Sequence, residues 1–322
     1  MKRIQCIVKL VIAGIISLFF LSLFVLVFCN TGIHVNNPAG YTDYRWIPNQ
    51  KKSTMIEGYS WLRMDNNGFN NSFIPDQIDI LILGSSHMEA VNVSQSDNSA
   101  SKLALLIPEK KVYNIGISGH DIYRCANNLR NAVNEFNPTE YIVIETDRVV
   151  LEKEKMEMVV NGEMAPIPSY DTGLLFFLQK LCPALKPIYK NIQVWRSASS
   201  QNLEIVEREE FQEKDQLISF LMKIKKDCGE GKKLIIVFHP TTTIDEDGRL
   251  FFDNHDDVLL FSEVCSELGI VFLDMTDSFS ELYSEKHILP YGFINTAVGE
   301  GHLNKDGHQM IAERIAEVIR GE

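Results

Sequence analysis

From Leu10 to Cys29 the chain carries no charge and is nearly all Leu, Ile, Val and Phe. A helix rises about 1.5 Å per residue, so about twenty such residues cross a hydrocarbon core about 30 Å thick. Lys2, Arg3 and Lys9 precede the run, and no basic residue comes after it before Arg45. Basic flanks stay cytoplasmic, which predicts residues 1–9 inside, 10–29 in the membrane and the rest outside. A cleaved signal peptide is the rival, but its apolar region normally spans about 7–15 residues and ends in small residues. Val27 and Phe28 before Cys29 make a poor cleavage site and a weak lipoprotein signal. A buried core helix is the third reading. The expectation is an uncleaved single-pass anchor.

Beyond the anchor, the chain is rich enough in apolar residues to bury a core. Of the 322 residues, 45% are hydrophobic, which suits one large domain or two small ones. The net charge of −12 excludes a nucleic-acid partner, since no basic stripe exists to neutralise phosphates. Cys6 and Cys29 belong to the anchor. Cys125, Cys182, Cys228 and Cys265 are scattered without C-x-x-C spacing, so no metal site is implied, and any disulfide pairing stays open. Cys265 reads as a small core residue. No Gly-rich phosphate-binding motif is present, and no cofactor is implied.

Residues 30–76 are polar and aromatic with several turn signals, and read as a stalk that becomes the leading edge of a domain covering 77–322. Five short apolar runs then read as strands: Ile78–Leu83, Lys111–Ile115, Tyr141–Glu145, Leu234–Phe238 and Ile270–Leu273. Helices are expected over Ser96–Ile107, Ile122–Phe136, Glu207–Cys228, Asp257–Leu268 and Lys305–Ile319. The alternation predicts a three-layer α/β/α domain with a mostly parallel, flavodoxin-like sheet. Between about 149 and 206 the pattern breaks. Met156–Ile167 contains Asn161-Gly162, a hairpin signal, and Leu174–Trp195 is apolar but interrupted by Pro183 and Pro187. This stretch reads as an insertion: a lid, a membrane-facing flap, or a helical cap contributing only to the core.

Parallel sheets bind ligands beyond the carboxyl ends of their strands. There the sequence places Gly84-Ser85-Ser86-His87, Asn114-Ile115-Gly116, Glu145-Thr146-Asp147-Arg148 and His239-Pro240, with Gly299-Glu300-Gly301-His302 just before the last helix. A serine hydroxyl becomes a nucleophile when a base takes its proton and donors receive the oxyanion. Ser86, at a strand-to-helix turn, suits the nucleophile, and His302, beside the last helix, suits the base. Backbone amides near Ser86 and Gly116 suit the oxyanion. Blander roles stand beside these. Ser86 could cap a helix with Glu89 completing a capping box. His87 could serve local structure, and His239 could touch substrate. His120-Asp121 could merely open a helix, and His308 suits packing or a surface position.

In order along the chain, I-L-I-L-G-S-S-H, N-I-G-I-S-G and G-H-L-N-K-D-G-H resemble blocks of the SGNH (GDSL-like) hydrolases, particularly their membrane-anchored bacterial members. The stretch Asp65-Asn66-Asn67-Gly68-Phe69-Asn70 resembles a segment that often precedes the nucleophile block there. The resemblance covers about residues 60–320 without the insertion. It implies Ser86 as nucleophile, Gly116 as an oxyanion glycine and His302 as base. Three departures stand out. Ser85 occupies the place of an Asp. Asp147 occupies the place of the Asn that donates to the oxyanion, so that either Asn114 or a backbone amide substitutes, or Asp147 has another role. The family's acid lies three residues before the His, where this chain has Gly299. Glu300 is the nearest carboxylate, expected to orient His302; failing that, the site is a Ser-His dyad.

The resemblance implies an extracytoplasmic serine ester hydrolase or O-acyltransferase, acting on an acylated carbohydrate of the cell envelope or an exported polysaccharide. The alternative is a catalytically silent accessory protein of a cell-envelope modification system, working through a protein partner. His87, next to the nucleophile, is expected either to line the substrate site or to serve local structure.

Overall fold

A computed structural model describes residues 2–28, 34–36, 41, 43–55, 57–167, 213–245, 247–253 and 257–321. Helix α1 (Lys2–Phe28) contains the stretch Ile4–Phe24, of mean hydropathy 2.5, and the rest of the protein covers none of it. By length and composition it can cross a membrane.

Where a stalk was expected, short antiparallel pairs pack instead. Strand β1 (His34–Asn36) pairs with β2 (Tyr44–Trp46), and β3 (Lys51–Thr54) pairs with β4 (Ser60–Arg63). Trp46, Leu62, Met64 and Val91 form a small apolar cluster of their own. Arg45 grips Glu135 with two hydrogen bonds of 3.1 Å, and Asp43 lies 3.0 Å from the buried His120. A bidentate guanidinium–carboxylate pair fixes both distance and angle. The lead-in is therefore fastened to the domain: every residue of β2 is buried, and alternate residues of β4 are.

The chain then runs β5 (Ile80–Leu83), α2 (Ser86–Glu89), a 3-10 turn, α3 (Ser99–Leu106), β6 (Val112–Asn114), α4 (Ile122–Phe136), β7 (Tyr141–Thr146) and α5 (Lys153–Asn161). After the undescribed residues come α6 (Glu213–Cys228), β8 (Lys233–Phe238), β9 (Thr242–Ile244), β10 (Leu250–Phe252), α7 (Asp257–Glu267) and β11 (Val271–Asp274). Helix α8 (Thr276–Lys286), the hairpin of β12 (Tyr291–Gly292) and β13 (Val298–Leu303), and α9 (Lys305–Arg320) complete the chain.

The main sheet has the order β11-β8-β7-β5-β6, every pair parallel. Numbering its strands by sequence gives 2-1-3-4-5, the flavodoxin-like order, whose reversal point lies between β5 and β7. Alternation along each strand divides two cores. Leu81, Leu83, Ile142, Ile144, Ile236 and Phe238 face α4, α6 and α7. Ile80, Ile82, Val143, Ile235 and Val237 face α3, α8 and α9. The expected three-layer architecture with a parallel sheet is what the chain adopts.

The hairpins β9–β10 and β12–β13 have no counterpart in the sequence expectation, and two further elements differ from it for physical reasons. Asn161-Gly162 closes helix α5 rather than a hairpin: Gly162, at φ +73°, donates to the carbonyls of Met158 and Val159. The left-handed backbone that signals a tight hairpin also ends a helix. Met156 and Val159, three apart, both point into the core and decide the matter. Helix α8 has no counterpart in the expectation, since only Phe279 and Leu282 mark its buried side. The apolar stretch Leu174–Trp195 lies outside the described residues. Cys125, Cys228 and Cys265 are buried free thiols, and Cys265 is a core residue as expected.

His308 sits inside α9, 1% exposed, with Nδ1 2.8 Å from the Ser99 hydroxyl. Burial, reinforced by the neighbouring imidazoles, pushes it down to about 3 from an ordinary value of 6.5. Between those values the unfolded chain binds a proton that the folded one refuses. This residue therefore costs nothing above pH 6.5, and stability falls as pH drops from there toward 3. His308→Gln should flatten the fall of the melting temperature between pH 6.5 and 4 relative to the parent, read by circular dichroism.

Candidate active site

Ser86 and His302 converge. Ser86 begins α2 immediately beyond β5, and His302 lies near the end of β13. The Ser86 hydroxyl is 2.9 Å from His302 Nε2. On the other side of the ring, His302 Nδ1 is 2.7 Å from a Glu57 carboxylate oxygen, and the second oxygen accepts the His302 backbone N–H at 2.8 Å. This is the serine–imidazole–carboxylate order that activates a hydroxyl and fixes the ring's tautomer. Both His302 and Glu57 keep part of their side chains open to solvent, at 31% and 23%.

The carboxylate is not the one expected. Glu300 is exposed, while Glu57 occupies His302 Nδ1 from the turn between β3 and β4. Gly299 and Gly301 both have positive φ and break the regular pleat of β13, so a carboxylate two positions from His302 is not delivered to its ring. The turn is clamped in place. Asn92 donates to the Glu57 carbonyl at 3.0 Å. Asn295 accepts the Gly58 N–H at 2.9 Å and donates to the carbonyls of Met55 and Gly58. Gly301, at φ +86°, leaves room as well, for a Cβ there would lie 2.5 Å from the carboxylate. Burial raises the Glu57 carboxyl, but the side-chain and backbone hydrogen bonds from His302 outweigh it and hold it below the usual range. Nothing in the sequence pointed to this residue: Glu300 was the nearest carboxylate to His302, and a Ser-His dyad was the alternative.

Ser85, rather than Ser86, supplies the helix cap. Its hydroxyl accepts the His87 N–H at 3.1 Å, which leaves the Ser86 hydroxyl free to face the imidazole. The Ser86 N–H, at the first turn of α2, has no intrahelical acceptor and can serve an oxyanion. Glu89 completes no capping box. Its carboxylate accepts the Trp46 indole N–H at 2.7 Å and the Ser118 hydroxyl.

Gly116 and Asn114 reach the site but are occupied. The Gly116 N–H donates to the Asn114 side-chain oxygen at 2.9 Å, and the Asn114 amide donates to the Met88 carbonyl at 2.6 Å. Together they lock the loop after β6 against α2. Lacking a side chain is essential here, because a Cβ on Gly116 would stand 2.5 Å from the Glu89 backbone nitrogen. Gly116 thus supports α2 by contact, and its amide is not free for an oxyanion.

His87 is buried, 5% exposed, with its ring centroid 5.2 Å from that of His302. Its Nδ1 accepts the Leu303 N–H at 3.2 Å, so its own proton sits on Nε2, which lies 3.7 Å from Asp147. Burial lowers its pKa, favouring the neutral ring. Asp147 comes just after β7 across the reversal point, with 26% of its side chain exposed. Burial raises its carboxyl, yet His87, His239 and Arg148 outweigh that and hold it at about 2. An ionised Asp147 accepts hydrogen bonds and donates none, so it does not replace the amide donor.

Beneath these lies a polar group that sequence reasoning missed. Glu145, 1% exposed, accepts the Ser85 N–H at 2.7 Å and its hydroxyl at 3.1 Å, and stands 2.7 Å from His239 Nε2. His239, fully buried, places Nδ1 2.6 Å from the Tyr291 hydroxyl, which donates to the Pro240 carbonyl. His239 therefore supports the serine loop rather than facing substrate. Its position at a strand end suited either role. Asp121, in turn, caps α4 by accepting the Arg124 N–H, and His120 pairs with Asp43. Among the described residues, no His, Cys, Asp and Glu cluster could hold a metal ion.

No family model matches the chain, and no curated protein matches it. Among solved structures it is similar to a member of the lipolytic G-D-S-L family from Veillonella parvula, at 14% identity and a TM-score of 0.41, over 76% of this chain and 98% of that one. It is also similar to the acetyl xylan esterase AlAXEase, at 12% and 0.41 over 74% and 99%. A catalytic mutant of an acetylxylan esterase from Geobacillus stearothermophilus aligns at 14% and 0.40 over 74% and 93%. A likeness of that size carries no argument about chemistry, which rests on the side chains themselves.

The contact of Gly116 with α2 makes a direct prediction. Gly116→Ala should destabilise the protein by about 1–3 kcal/mol, since backbone must shift to admit the methyl group. Urea unfolding followed by circular dichroism would measure it.

Proposed function

We propose that this protein is a membrane-anchored serine ester hydrolase or O-acyltransferase. The observation that carries the reading is the relay from Ser86 through His302 to Glu57, at 2.9 and 2.7 Å. Ser86 Oγ attacks an ester carbonyl while His302 Nε2 takes its proton. Glu57, held ionised, accepts the ring's other N–H and stabilises the imidazolium. The Ser86 N–H faces the developing oxyanion. His302 then protonates the leaving alcohol, and water or an acceptor hydroxyl releases the acyl group from Ser86.

The substrate fitting this reading is an acyl ester, such as an acetyl group, on a cell-envelope or exported polysaccharide. The anchor supports that placement: α1 is apolar enough to span a bilayer, and its basic residues, Lys2, Arg3 and Lys9, lie in its amino-terminal part. The domain would then lie outside the cytoplasm, within reach of surface glycans.

A second reading, a silent accessory protein that contacts a partner, draws on Asp147. An ionised carboxylate beside the serine loop opposes an oxyanion rather than stabilising it.

Turnover of a chromogenic acetyl ester and labelling by a fluorophosphonate decide between them. Ser86→Ala should abolish both without altering the circular dichroism spectrum. Unlabelled wild-type protein without turnover would favour the accessory role. Glu57→Gln should lower kcat roughly 100- to 10,000-fold, whereas Glu300→Gln should leave it within about two-fold of the parent. Equal losses in both variants would reject Glu57 as the acid.

A further inference from the structure

The hairpin that carries Glu57 has a second face. In antiparallel pairs, residues directly opposite project to the same side. Lys51 pairs with Arg63, and Ser53 with Trp61, so these four share one side of the β3–β4 ribbon. The other side bears Leu62, buried in the small apolar cluster, and Lys52, whose ammonium lies 4.5 Å from the centroid of the Trp46 ring. On the outer side Lys51, Trp61 and Arg63 are exposed, Trp61 at 67%. Tyr59, beside the turn, is 57% exposed. Among the described residues, neither Lys51 nor Arg63 makes an ion pair. On a protein of net charge −12, a ribbon presenting two unpaired cations with an exposed indole stands out.

That composition matches one surface chemistry. Trp and Tyr favour the headgroup level of a bilayer, with the ring partly in the acyl region and the polar edge in water. Lys and Arg beside them are drawn to anionic headgroups. The chain also fixes where such a ribbon can go. Helix α1 ends at Phe28 and β2 starts at Tyr44, so the ribbon cannot leave the membrane by more than an extended segment of about 55 Å.

We infer that the outer side of the β3–β4 hairpin, through Lys51, Trp61 and Arg63, docks on an anionic lipid surface. The inference deepens the anchor reading and is independent of the ester chemistry. Docking orients the turn that holds Glu57 toward the bilayer, so that the site meets acyl esters close to the membrane.

The test uses the full chain in nanodiscs of brominated phosphatidylcholine, with or without phosphatidylglycerol, and reads tryptophan emission. Of the three tryptophans, none lies in helix α1 and Trp46 is buried, and parent and variants all carry Trp195→Phe so that Trp61 is the reporter. With phosphatidylglycerol present, quenching by the brominated chains should fall roughly two-fold or more in Trp61→Phe. The double variant Lys51→Glu, Arg63→Glu should return quenching to the level seen in phosphatidylcholine alone. Circular dichroism of both variants should match the parent. Equal quenching in the parent and Trp61→Phe would overturn the inference. So would shielding of Trp61 from both brominated lipid and aqueous iodide, which would assign the face to another protein chain. Fluorophosphonate labelling is read in the same samples. Its absence with quenching intact would remove the ester chemistry and keep the docking.

Discussion

The contact between Glu57 and His302 joins residues 245 positions apart, and the rest of the arrangement exists to make it possible. Closing so long a loop costs entropy that local interactions must offset. Here the closure is distributed. Trp46, Leu62 and Met64 bury apolar surface, Arg45 grips α4 through Glu135, and Asn92 and Asn295 hold the turn on both sides. The segment just after α1 is therefore a structural part of the site. Without it His302 would lose the partner that sets its tautomer.

The serine end of the relay depends on a different device. Four residues are too few for a helix to stand alone, since the first turn fixes several dihedrals for one hydrogen bond. Helix α2 persists because its surroundings hold nearly every polar group around it. Asn114 holds the Met88 carbonyl, Asn70 holds those of Glu89 and Ala90, and Glu145 holds both polar groups of Ser85. A buried network of this kind is stiff when fully paired and costly when partly broken. Stiffness at this point keeps a hydroxyl aimed at an imidazole that arrives from the far end of the chain.

Much of this was legible beforehand, and the reasons are physical. Strands buried on both faces announce themselves as apolar runs, and β5, β7 and β8 appear within a residue or two of those runs at each end. The serine and histidine were legible because chemistry concentrates at strand ends of parallel sheets. The acid was not. Glu57 lies in a turn with no periodicity, and nothing in its neighbourhood encodes a partner near residue 302. The division of labour between Ser85 and Ser86 was equally hidden, since two adjacent serines suit the cap equally well until φ and ψ are known. Gly116 was singled out for its amide, but that amide serves the loop itself, and what the missing side chain admits is the backbone of α2. Asn161-Gly162 misled because one backbone conformation serves two different turns.

The Asn295 clip has a consequence for biosynthesis. The turn bearing Glu57 leaves the ribosome shortly before the serine loop, while Asn295 and His302 follow only about two hundred residues later. Until that stretch emerges, the early hairpin lacks its clasp and the serine lacks its base. A growing chain would therefore carry an inert serine loop. Reactivity would appear in a single late step, when the segment bearing Asn295 and His302 folds back onto the earlier residues.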